Sequence, residues 1–342
     1  MKAESSVSPR RDFLKSMAAS GAAVLAGSMG RALAQSSPDW TKQVGLELFT
    51  VRDAMQTDYE GVLAKIASFG YKEVEPASGY NNLGPKEFRA MLDRYGLAMP
   101  STHSGLPAGD TVEARLEGGQ VMGLQYVENL GGAGRAPAAA GGRNGAARGA
   151  GASAGVEAGR GRGPGGPGRG GGQTEEVVKR QAQALNENGK LAQKFGIRMI
   201  VHNHTGEFAP LADKPEMRPY DVLLAETDPA LVVMQLDIGW ASVAGQDILG
   251  MFRKNPGRFA CWHVKDAKGI KAMSPALTQN QRQQAADLVP VGQGEVDYKS
   301  IFAAASQAGL KHFCIEQDNA SQWGDSVAAA RVCFNGLVRV LS

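Results

Sequence analysis

Four side chains in the second half of this 342-residue chain, Glu207, Asp237, His263 and Glu316, pair three carboxylates with one imidazole. That mixed oxygen and nitrogen set suits a divalent metal ion. Its oxygen-rich character favours Mn²⁺ or Co²⁺, with Zn²⁺, Mg²⁺ and Fe²⁺ also compatible. Around it stand Glu75, His103, His202, His204 and Lys265, candidates for binding the hydroxyls and carbonyl of a substrate. Lys265 follows His263 by two residues, so on a strand both share a face. An ammonium there can stabilise developing negative charge or simply form an ion pair at the rim. The triplet His202-Asn203-His204 spells a nuclease motif but ends a strand-like run rather than sitting in a hairpin-plus-helix finger. Its histidines fit substrate binding or support of the metal ligands.

The elements that must carry these residues are short apolar runs alternating with helical stretches. Eight strands are expected, at 43–50, 71–75, 97–103, 123–130, 197–202, 231–237, 259–265 and 311–316. Pro100 makes the third irregular. Helical patterns fall near 59–69, 85–95, 175–194 and 219–226. Three helices close on glycine before the next strand, at Phe69-Gly70, Phe195-Gly196 and Ala308-Gly309, as a left-handed helix cap requires. Eight strands separated mostly by helices argue for an α/β fold, a closed (β/α)8 TIM barrel. No glycine-rich turn follows the first strand, which disfavours a dinucleotide-binding sheet. Four of the five histidines and most of the candidate acids lie at strand ends, where a barrel gathers its catalytic groups.

Two basic passengers distort the whole-chain charge. Residues 1–34 contain Arg10-Arg11, an apolar run and the small-x-small site Ala32-Leu33-Ala34, the pattern of a twin-arginine signal peptide. Residues 131–172 hold 18 of the 45 glycines and six arginines, and read as a disordered insertion in a domain spanning 35–342. Removing both takes the net charge from +3 to about −5 over 266 residues, one barrel's worth. A basic nucleic-acid footprint is thereby excluded from the core, and the arginine-glycine run lacks the aromatic residues that stack on bases. Export to the periplasm with the twin-arginine machinery as a transient partner is expected, and no apolar stretch is long enough for an integral membrane protein. The three cysteines are widely spaced, and two lie in expected strands, so buried thiols are expected.

The strings GLELFTVRDAM, YKEVE, NENGKLAQKFGIRMIVHNHTGEF, LVVMQLDIGWA, FACWHVKD, VGQGEVD and HFCIEQD resemble the sugar phosphate isomerase/epimerase superfamily, the xylose isomerase-like barrels, and within it an exported twin-arginine subgroup. The resemblance runs from about Gly45 to Gln317. It implies a metal held by Glu207, Asp237, His263 and Glu316, with Glu207 and Glu316 as the acid/base pair. Thr205-Gly206 departs from the relatives, which often carry an acid and an aromatic there. The expected activity is metal-dependent isomerisation or epimerisation of a small sugar-like carbonyl compound. The alternatives are a lyase or hydrolase on 3-keto-glycosides, an endonuclease IV-like phosphodiesterase, and a non-catalytic sugar-binding barrel.

Overall fold

The structure, a computed structural model, describes residues 38–131 and 172–342. The expected signal peptide and residues 132–171 of the expected insertion lie outside the described residues. Asp39–Ser342 forms one unit. Its strands are β1 (Gly45–Glu47), β2 (Glu73–Glu75), β3 (Tyr126–Val127), β4 (Arg198–His202), β5 (Val232–Asp237), β6 (Cys261–Val264), β7 (Asp266–Lys268), β8 (Asp287–Val289) and β9 (His312–Ile315). Seven of them pair in parallel in the order β2-β1-β9-β6-β5-β4-β3. The expected strand at 97–103 closes the ring with minimal pairing. Ala98 bridges Glu73, and the Pro100 carbonyl accepts from the backbone N–H groups of Gln125 and Tyr126. The result is an eight-stave α/β barrel.

Strand residues alternate between two buried environments, because each stave is covered by helices outside and faces the other staves inside. Met199, Val201, Met234, Leu236, Trp262 and Val264 join the large core shared with the helices, while Tyr126, Ile200, Val233, Ala260 and Cys261 form a separate small cluster. Continuing the second face toward the C-terminal ends replaces apolar side chains by polar ones. Ile200 gives way to His202, Val233 to Gln235 and Asp237, and Cys261 to His263 and Lys265. At the opposite end the His312 Nδ1 lies 2.8 Å from Glu73 Oε1.

Many of the helices begin on side-chain caps that accept otherwise orphaned N–H groups. Asp58 caps Tyr59–Phe69, Thr111 caps Val112–Met122, Thr174 caps Glu175–Gln193 and Asp325 caps Ser326–Leu341. Gly70, Gly196 and Gly309 all have positive φ, as the helix-end pattern anticipated. One excursion has no counterpart in the sequence reading: β7 and β8 form an antiparallel hairpin with helix Gln279–Ala285 between them. Its polar sequence has no apolar period, and a capping box at Thr278 and Gln281 starts the helix instead. The hairpin is tied across the rim, where Thr205 Oγ1 donates to the Gln279 carbonyl at 3.0 Å. Cys261, Cys314 and Cys333 are buried and unpaired. No helix among the described residues is long and apolar enough to cross a membrane.

Candidate metal centre

The C-terminal tips of the staves deliver polar side chains into one buried space. Glu47 ends β1 beside Glu75 at the end of β2, in register. His202, Asp237 and His263 end or nearly end β4, β5 and β6, and Asp237 is in register with His263. Glu316 follows β9 directly.

Four of these, His202, Asp237, His263 and Glu316, each offer one ligand atom within 4.8 Å of every other. His202 Nε2 lies 3.5 Å from Asp237 Oδ2, and His263 Nδ1 lies 2.7 Å from Glu316 Oε2. His202 Nε2, Asp237 Oδ2 and His263 Nδ1 are all buried without a hydrogen-bond partner. Burial acts to lower the His263 pKa, but Glu75 and Glu316 raise it well above the usual imidazole range, so a metal ligated there would displace a proton. The Nδ1–Glu316 Oε2 approach itself has a direction that does not suit a ring N–H. Buried polar atoms without a hydrogen bond are rare in folded proteins and costly. A divalent ion would satisfy the two imidazole nitrogens together with Asp237 Oδ2, whose cationic neighbour is Lys265 Nζ at 3.2 Å. Burial, with His263 and His103 nearby, pushes the His202 ring far below the usual imidazole range, leaving it neutral as a metal ligand must be. These side chains are able to coordinate a divalent metal ion.

Asp237 is aimed by its other oxygen. Oδ1 accepts from the Trp240 backbone N–H at 2.8 Å, capping helix Ile238–Val243 and leaving Oδ2 turned toward the cluster. Asn203, fully buried between the two histidines of the triplet, pairs with the Asp237 backbone in both directions. The triplet therefore divides its work: His202 enters the cluster, Asn203 fixes a neighbouring strand tip, and the His204 ring lies 4.9 Å from that of His202.

Lys265 is buried among acids. Its Nζ stands 2.9 Å from Glu316 Oε2, 2.9 Å from Asp318 Oδ1 and 3.2 Å from Asp237 Oδ2. Burial alone would lower its pKa, but these three carboxylates hold it well above the usual lysine value and favour its charged form. Burial likewise acts to raise Glu316, yet Lys265 and His263 hold it well below the carboxylate range. Asp318, buried and beside Glu316, is pushed up to about 7. Close packing requires Gly239 here, since a Cβ at that position would meet Lys265 Cβ at 2.5 Å.

Glu75 lies behind the cluster, fully buried, and its carboxylate is saturated. It accepts from Ser101 Oγ at 2.9 Å and from Gln235 Nε2 at 3.1 and 2.8 Å, and it faces His103 Nε2 at 3.0 Å and His263 Nε2 at 3.3 Å. Burial raises its pKa, but the two histidines more than offset this and bring it down to about 2.

Glu207 is placed differently from the other three residues of the expected ligand set. The chain turns into a 3-10 helix at Gly206–Phe208, and Glu207 Oε2 accepts from the His204 backbone N–H at 2.7 Å. It is not among the four clustered donors; His202 is. Sequence reading also passed over Glu47, Gln235, Asn203 and Asp318. Gln235 and Asp318 each stand two residues from an expected ligand, so the period of a strand points to both. Glu47 is 2 % exposed with an orphaned Oε2, and burial followed by the neighbouring Glu316 raises its pKa well above the carboxylate range.

A profile of the family described as the xylose isomerase-like TIM barrel matches residues 63–333. The inosose dehydratase of Bacillus licheniformis is 30% identical over 144 residues, 41% of this chain and 44% of that protein. The inosose dehydratase of Clostridium tetani is 30% identical over 155 residues, 43% of this chain and 50% of that protein. The chain thus spans about half the length of the curated relatives it matches. Among solved structures, a sugar phosphate isomerase/epimerase from Parabacteroides distasonis superposes with a TM-score of 0.62 at 17% identity, over 92% of this chain and 99% of that one.

Proposed function

The chain belongs to the xylose isomerase-like TIM barrel family, and from that premise we propose that it is a metal-dependent lyase. Its substrate is a small polyhydroxy carbonyl compound, and its reaction is loss of water or another leaving group next to an acidic C–H. The observation that carries this reading is the four-donor cluster of His202, Asp237, His263 and Glu316 with Lys265 against it. Isomerisation and elimination both begin by removing a proton from the carbon beside a carbonyl. The curated relatives are inosose dehydratases, which supports elimination over the isomerisation that the sequence motifs put first.

His202, Asp237, His263 and Glu316 would hold the ion. When bound, the metal supplies Lewis-acid polarisation of the carbonyl and neutralises charge developing on its oxygen. Glu316, kept ionised by Lys265 and His263, accepts the C–H proton. Lys265 stabilises the oxyanion side of the transition state. The C–H electron pair becomes the new C=C bond as the β C–O bond breaks. The proton taken by Glu316 leaves with the departing hydroxyl as water, so no oxidant or reductant is needed. Mn²⁺ or Co²⁺ suits this nitrogen and oxygen set.

The test is incubation of the metal-loaded protein in D₂O with an inosose and, separately, with a 3-keto-glycoside, followed by NMR and mass spectrometry. Loss of one water from the first, or release of free aglycone from the second, is the expected result. Deuterium entering the α-carbon without loss of a group would replace elimination by isomerisation, and no exchange with any metal would overturn the enzymatic reading. Export is a separate part of the proposal, resting on Arg10-Arg11 and Ala32-Leu33-Ala34. Replacing both arginines by lysine is expected to stop recovery of the shortened protein from the periplasm.

A further inference from the structure

The geometry points to Glu75 as a positioning residue that fixes the ring proton of His263 on Nε2 and so presents Nδ1 to the metal. The inference rests on the metal reading above. Two overlapping donor sets exist among the described residues: the imidazoles of His103, His202 and His263, and the mixed set of His202, Asp237, His263 and Glu316. The rings of the three histidines lie 4.7 to 4.9 Å apart, centroid to centroid, so proximity alone does not choose between the sets.

Hydrogen bonding does choose. The Glu75 carboxylate can only accept, so the Gln235 amide must turn its Nε2 toward it, as observed at 3.1 and 2.8 Å. Gln235 Oε1 is then the atom facing His103 Nε2 at 2.7 Å. His103 Nε2 sits between two acceptors, Gln235 Oε1 and Glu75 Oε1, and must carry a proton. It is therefore not a free lone pair, which removes that nitrogen from the all-imidazole set. His263 Nε2 makes a hydrogen bond of suitable direction with Glu75 Oε2 at 3.3 Å, and an acceptor-only carboxylate there requires the proton on Nε2. Its Nδ1 lies nearer a carboxylate, 2.7 Å from Glu316 Oε2, but in a direction that does not suit a ring N–H, so it is the nitrogen turned to the metal site. A carboxylate behind a ligating histidine also raises the basicity of the ligating nitrogen. Ser101 supplies a further donor that anchors Glu75 itself.

Co²⁺ titration followed by visible absorption tests this without recourse to catalysis. Wild type is expected to bind one equivalent, and Glu75→Gln to bind about 10- to 100-fold more weakly, the usual effect of losing such a partner. Glu75→Asp restores the charge and is expected to recover part of the affinity. In the Zn²⁺-loaded wild type, long-range ¹H–¹⁵N correlation spectra should place the His263 ring proton on Nε2, and this measurement decides the matter should Glu75→Gln fail to fold. A proton on Nδ1, or a Glu75→Gln protein that binds Co²⁺ with unchanged affinity and spectrum, would overturn the inference alone. A folded wild type that binds no Co²⁺ would overturn the metal reading and this inference with it.

Discussion

Asn203 and Asp237 hold each other by two antiparallel hydrogen bonds: the Asp237 N–H donates to Asn203 Oδ1 at 3.0 Å, and Asn203 Nδ2 donates to the Asp237 carbonyl at 3.3 Å. A side chain at the end of one stave thereby substitutes for backbone pairing at the tip of the next. Asn203→Ala would leave a buried N–H and C=O without partners, at a cost of about 2–3 kcal/mol. Urea denaturation is expected to show that loss of stability.

Ligand identity separates His202 from Glu207. His202→Ala removes a clustered donor and is expected to strip the protein of stoichiometric metal, whereas Glu207→Ala, which disturbs only a turn capping the His204 N–H, is expected to retain it. Elemental analysis of the two purified variants is the check, and the reverse pattern would return Glu207 to the ligand set.

Asp237→Asn keeps an oxygen for the Trp240 N–H while removing the charge from the cluster. Helix Ile238–Val243 should therefore survive and metal binding should not. Circular dichroism with a metal titration distinguishes this from simple unfolding, in which both signals would fall together.

Asp266 organises the loop that follows β8. Its carboxylate accepts from the backbone N–H groups of Ala267, Gly292, Gly294 and Val296 at 2.9 to 3.2 Å. A Cβ on Gly294 would meet Asp266 Oδ1 at 2.1 Å, which accounts for the second glycine of VGQGEVD. Asp266→Ala is expected to destabilise the fold by about 3 kcal/mol, since several partly buried donors lose one shared acceptor. Thermal unfolding measures it.

All seven tyrosines are shifted toward higher pKa in the folded chain, six chiefly by burial and Tyr95 by its bond to Glu60. Tyr126 reaches about 12. Above pH of about 10 the unfolded chain ionises its phenols while the native chain keeps them protonated. The native state then binds more protons, so stability is complete below that pH and falls as pH rises. Phenolate absorbance should appear late and together with loss of structure. Early titration in the intact fold would refute the expectation.

Legibility of this molecule follows the strand period. Asp237, His263 and Glu316, which the fold gathers with His202, stand at or near the ends of apolar runs where the sequence pointed to them, and the glycine helix ends marked where the staves begin. Beyond the last strand residue the period no longer says where a side chain points. Glu207, five residues past His202, was expected at the metal, but the turn at Gly206–Phe208 brings its carboxylate back onto the His204 backbone. His202 was visible as a strand-end histidine, yet only the fold shows its Nε2 unpartnered beside Asp237. Glu47 escaped notice because a lone acid in GLELFT looks like a rim residue until the neighbouring staves bury it. The β7–β8 hairpin was invisible because its stability comes from caps and rim hydrogen bonds, which carry no apolar signature.

The three cysteines have a consequence for where this protein can work. Each thiol is buried, and each is held above its usual pKa chiefly by that burial, Cys333 at about 12. Thiolate is the form that oxidises and exchanges. Thiols that are buried and kept protonated resist both reactions, so the described fold depends on no disulfide and is expected to tolerate a reducing and an oxidising medium alike.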